Sequence, residues 1–144
     1  MDKYELLKKE YQTILFIGFS MASSFFVYWA LVQFVIPAPN GPVNNPEFFR
    51  YGFLVIAMIG PATIPVIKKA ILRKSPDDPL EVSLRRLRVS AIVSFALCES
   101  SALVGLVSYL IAGVLMDFYI LLIYSLIFFA IFFPKHSDWK EYVS

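Results

Sequence analysis

Apolar and polar positions along this chain separate into blocks instead of mixing. Four apolar stretches, roughly 12 to 36, 51 to 72, 88 to 113 and 117 to 134, are divided by segments that hold nearly all the charge. Each is close to the length of about 20 residues that a helix needs to cross the hydrocarbon of a bilayer. None alternates with period two, and in lipid only helices and closed barrels satisfy every backbone polar group. The expected fold is all-α: a single domain over residues 1–144, with four transmembrane helices and no internal repeat. The first stretch exceeds a signal-peptide core, and the following "IPAPNGPVNNPEFFR" has no small-residue cleavage pattern, so that stretch is expected to be retained.

The polar blocks differ in sign, and that gives an orientation. Between the second and third stretches stand Lys68, Lys69, Arg73, Lys74, Arg85, Arg86 and Arg88; the N-terminal arm adds Lys3, Lys8 and Lys9, and the C-terminal arm Lys135 and Lys140. The opposite side has Arg50 alone. Basic residues collect on the cytoplasmic face of membrane proteins, so both termini and the central loop are expected there, in a multi-pass protein of the cell inner (cytoplasmic) membrane. Ordinary topology accounts for these charges, and the net charge of +2 gives no reason to expect nucleic acid as a partner.

Within the central loop, "DDPLE" reads as a helix start, with Asp78 as N-cap, Pro79 at the first helical position and Glu81 three residues after the cap. A helix from there to about residue 112 would be on the order of 50 Å long, so its first two turns should stand in the headgroup region. Leu80, Leu84 and Leu87 line one face of that overhang.

One carboxyl falls deep inside an apolar stretch. Glu99, in "SFALCESSALVGLVSYLIAG", lies about ten residues and hence about 15 Å from the start of its span, near mid-bilayer. A charge at that depth costs several kcal/mol, so the side chain is expected to be protonated unless a partner or water compensates it. On the same helix Ala91, Ser94, Cys98, Ser101, Gly105, Ser108 and Ala112 recur at spacings of 3, 4, 3, 4, 3 and 4, a small-residue seam that lets a neighbouring helix approach closely. That neighbour could belong to the same chain or to another copy. Counting depth from the ends of the stretches brings Ser24, Tyr124 and the Ala57 carbonyl, freed by Pro61, to the level of Glu99 as candidate partners.

The run "ALCESSALVGLVSYLI" resembles the carboxyl-bearing helix of the c subunits, or proteolipids, of rotary ATPases, with Glu99, Ala102, Gly105 and Leu106 carrying the match. The likeness covers residues 85–113, including Arg85 and Arg86 of the preceding loop. It implies a proton- or sodium-carrying role for Glu99. It ends at the second helix, where "IGPATIPVIKKAI" replaces the repeated glycines of a c hairpin. As a whole the chain also looks like small, uncharacterised four-helix bacterial membrane proteins.

Composition enters last because it changes little: 58% hydrophobic and 17% aromatic residues, with a mean hydropathy of +0.68, are what a bilayer protein carries. One cysteine, Cys98, and one histidine, His136, offer no metal cluster, no disulfide and no bis-histidine haem site. No nucleophile and base pair or phosphate loop is visible, so neither an enzyme nor a cofactor is expected. Two readings follow. The chain is a small integral-membrane subunit or scaffold, in a homo-oligomer or larger complex, packing through the third-helix seam; alternatively it handles H+ or Na+ at Glu99.

Overall fold

A computed structural model describes residues 3–37, 46–73 and 78–143, and all the regular structure among them is helical. In chain order these are α1 (Lys3–Ala30), continued by a π-helical turn at Leu31–Val35; α2 (Pro46–Ile71); α3 (Leu80–Ala112); α4 (Leu115–Ile131); and α5 (His136–Val143). Three elements are long and apolar enough to span a membrane: α1 with its π turn, α2 and α3. The fourth reaches that length only together with α5, from which it is bent by 46°. Its own 17 residues span about 26 Å, slightly less than a typical hydrocarbon core.

Helices occupy the four expected stretches, with shifted ends. The first helix begins at Lys3, well before its apolar stretch, and its last turn widens so that Ile36 N–H donates to the Leu31 carbonyl at 2.9 Å. Pro61 and Pro65 lie inside α2 without ending it. The expected cap of α3 is corrected: the helix starts at Leu80, Pro79 occupies the N-cap place, and no side chain caps it. The Pro79 carbonyl accepts the first intrahelical bond, from Ser83 N–H at 3.1 Å. Asp78 instead pairs with Arg86, because a guanidinium is a stronger partner for a carboxylate than a backbone amide. At the other end of α3, Gly113 takes the left-handed conformation (φ 71°) and returns its N–H to the Tyr109 carbonyl at 2.8 Å, which turns the chain directly into α4.

The bundle is organised around α3, which packs against α1, α2, α4 and α5. Its circumference is divided among them. Toward α1 lies Phe95, whose ring fits over Gly18. Toward α2, Leu97 and Ser100 meet Gly60, and toward α4, Gly105 meets Leu121. Val89, Ile92, Leu103, Val107 and Leu110 remain exposed between α1 and α2. Aromatic rings fill the centre, with Phe95 stacked on Phe129 at 4.9 Å and Phe25 edge-on to Phe129 at 5.5 Å.

Both described chain ends, the end of α2 and the start of α3 lie at one end of the bundle. There Lys3 Nζ donates to the Val143 carbonyl (3.0 Å), Tyr11 OH to the Pro134 carbonyl (3.0 Å) and Tyr142 OH to the Leu72 carbonyl (3.2 Å), while Arg88 pairs with Glu10 at 3.3 Å. Through these bonds α5 folds back across the bases of α1 and α2. This end carries the basic residues among those described, apart from Arg50.

Candidate functional site

Glu99 sits on the flank of α3 that faces α1, and its partner is Tyr28: the phenol donates to Glu99 Oε1 at 2.6 Å. That is a short, well-formed O–H···O contact. Ser24 lies one turn earlier on the same face of α1. Its own hydroxyl donates to the Met21 carbonyl at 2.6 Å. The carboxyl is half-buried, placed where the α1 contact gives way to the exposed stripe of α3.

The other depth-matched candidates go elsewhere. Tyr124 OH donates to the Met58 carbonyl at 3.1 Å, which ties α4 to α2. Ala57 is buried in the α2 contact, 2% exposed, and its neighbourhood is served by that Tyr124 bond and by Thr63 Oγ1 donating to the Gly60 carbonyl at 2.7 Å. Of the three groups expected around Glu99, none makes the bond itself: Tyr28, one turn on from Ser24, does so, while Tyr124 bonds to α2 and Ala57 is buried on α2.

The small-residue seam has its neighbour within the chain. Ala91, Ser94, Cys98, Ser101, Gly105 and Ser108 are buried and Ala112 half-buried, with α4 seated along them. A β-carbon added at Gly105 would stand 3.0 Å from Leu121 Cβ. The Ser125 hydroxyl of α4 bonds directly to the Cys98 carbonyl. Ser94 donates to the Ser90 carbonyl at 2.8 Å, whereas the hydroxyls of Ser90, Ser101 and Ser108 have no hydrogen-bond partner among the described residues.

A second charged constellation, which the sequence reading did not single out, lies at the opposite end of the bundle. Arg50 reaches across to Asp117 with Nε to Oδ2 at 2.7 Å and Nη2 to Oδ1 at 3.0 Å, a bidentate pair. The Asp117 side chain is 4% exposed and stands in the first turn of α4, where the helix dipole favours an anion. Beside it, Gln33 of the π turn donates to the Tyr119 hydroxyl. The available signal was one of pairing: a lone arginine on that side and a lone aspartate at the start of an apolar span, each a few residues into its helix.

No group of three or more metal-ligating side chains gathers among the described residues. Comparison with protein-family descriptions, with curated proteins and with solved structures finds no match for the chain.

Proposed function

We propose that this chain is a small integral-membrane protein, oriented with both ends and the α2–α3 connection in the cytoplasm, in which Glu99 is a proton-exchanging carboxyl held by Tyr28. The observation that carries the reading is where Glu99 stands: at mid-span, half-buried, on the border between the α1 contact and the outward stripe of α3. A phenol both donates and accepts. The Tyr28 contact can therefore persist whether the carboxyl is ionised and accepting or protonated and donating. A proton suits the pair better than a sodium ion, because hard cations are held by several oxygens at once and this contact supplies a carboxyl and one phenol. Orientation follows from the basic end of the bundle, which Arg50 alone opposes.

The second reading, a scaffold or subunit, is favoured by the same bond seen as a tie between α1 and α3. Its original ground, the small seam, is taken up by the chain's own α4, so association with other copies or a larger complex would use another face, such as the outward stripe of α3.

Glu99→Gln separates the two. Glutamine still accepts from Tyr28, so the variant should melt in detergent close to the parent. On the proton reading the parent's Glu99 should react with a carbodiimide, a reagent that attacks protonated carboxyls, and Glu99→Gln should lose proton movement in reconstituted vesicles. Glu99→Leu strands the Tyr28 hydroxyl and should cost about 1–3 kcal/mol on either reading. A parent protein whose Glu99 resists carbodiimide at every pH, with proton movement unchanged in Glu99→Gln, leaves the tie alone standing.

A further inference from the structure

At the basic end, where α4 breaks into α5, a cavity of about 90 Å³ opens between the end of α2, the first turns of α3 and α5. It has room for a group of several heavy atoms. Its lining is of two kinds. Leu87 and Phe132 make an apolar floor, while Lys68, Lys135, Asp138 and the Ser90 hydroxyl supply the polar groups.

Neither lysine is ion-paired with a described carboxylate. Lys68 Nζ lies 5.9 Å from the centre of the Phe132 ring, which holds the ammonium at the cavity wall. Asp138 is exposed at the rim, where its Oδ1 accepts from Ser137. Ser90 is 2% exposed and its hydroxyl has no partner among the described residues, although a buried hydroxyl ordinarily finds one. Two cations at the mouth and an unsatisfied donor at the base describe a receptor for an oxyanion.

We propose that this cavity binds a phosphate group, and that the phosphate is the headgroup of an anionic phospholipid. Lys68 and Lys135 would bracket the charge and the Ser90 hydroxyl would donate to one oxygen, with Asp138 left at the rim to accept from a headgroup hydroxyl. The lipid source is favoured by position, since basic pockets at the cytoplasmic ends of membrane helices sit at headgroup level and Trp139, which also lines the cavity, suits that boundary. The inference rests on the bilayer placement and is independent of the role given to Glu99.

The test uses the whole chain in an uncharged detergent, with the melting temperature followed as phosphatidylglycerol, phosphatidylcholine or inorganic phosphate is added. Phosphatidylglycerol should stabilise the protein while phosphatidylcholine and inorganic phosphate do so weakly. Lys68→Gln with Lys135→Gln should weaken phosphatidylglycerol binding about tenfold or more, and Ser90→Ala about fivefold. Lys69→Gln, an exposed cation outside the cavity, should leave it unchanged, and so should Glu99→Gln, which separates this proposal from the proton reading. Ser90→Ala removes an unsatisfied hydroxyl, so it should fold at least as well as the parent without lipid; this keeps the test decisive if the double lysine variant fails to fold. Equal stabilisation by inorganic phosphate would keep the phosphate site and overturn the lipid as its source. A phosphatidylglycerol effect that is absent, or indifferent to both Ser90→Ala and the lysine substitutions, overturns the site itself.

Discussion

Asp117 carries its charge on a side chain that is 4% exposed, and Arg50 answers it with two hydrogen bonds. Removing one member of such a pair is worse than removing both, because the survivor keeps its desolvation cost and loses its partner. Arg50→Gln should therefore destabilise the protein more than Asp117→Asn, since the asparagine leaves no buried charge behind. The double variant should recover much of the Arg50→Gln loss. Detergent melting of the four proteins forms a double-mutant cycle, and simple additivity of the two effects would mean the ion pair contributes no coupling. At this scale the sequence was legible in depth and illegible in rotation. Counting residues along α1 found the level of Glu99 and pointed to Ser24; the group that makes the bond, Tyr28, lies one turn on along the same face. Depth alone could not tell which side of the bundle Tyr124 faced either, and it bonds to α2.

Among the elements, α3 was the most readable and its surroundings the least. Small residues alternating at spacings of three and four announce a close helix approach in lipid whatever the partner, so the seam could be seen without knowing that α4 would fill it. At Gly105 that approach is tight: an added β-carbon would stand 3.0 Å from Leu121 Cβ, an atom fixed to its backbone, whereas one at Gly52 would meet nothing within 4 Å. Gly105→Leu should consequently cost at least about 1–3 kcal/mol by forcing α3 and α4 apart. Gly52→Ala should stabilise α2 by about 0.5–1 kcal/mol through backbone entropy alone. Thermal melting of both variants checks the contrast, and equal tolerance would mean the α3–α4 contact is looser than the geometry has it. Two elements left little trace in the sequence. The π turn after Ala30 sits inside an apolar run that reads as ordinary helix. The eight residues of α5 are too polar and too few to register as a span, and only the pair Trp139 and Val143, four apart and both buried, marks their inner face.

For the molecule as a whole, polarity is turned inside out. Phe16, Phe19, Phe26, Phe34 and Phe48 are at least 67% exposed, while Ser83, Ser90, Ser94, Ser101, Ser108 and Ser125 are buried, and such an exterior matches hydrocarbon rather than water. Four crossings would return the chain to its starting side, in keeping with the bonds from Lys3 to Val143 and from Tyr11 to Pro134 that hold both described ends together. If the charge rule orients this bundle, a cysteine at Ser137, exposed on α5, should be shielded from an impermeant thiol reagent applied to intact cells. One at Glu47, exposed at the start of α2, should react. The background should carry Cys98→Ala, a volume change small enough for its buried place against α4. Permeabilised cells should label Ser137→Cys as readily as Glu47→Cys, which separates sidedness from burial. Labelling of Ser137→Cys from outside, with Glu47→Cys silent until permeabilisation, would invert the orientation and move the basic cavity to the outer face. Labelling of both from outside intact cells would contradict an odd number of crossings between them and, with it, α4 as the returning span.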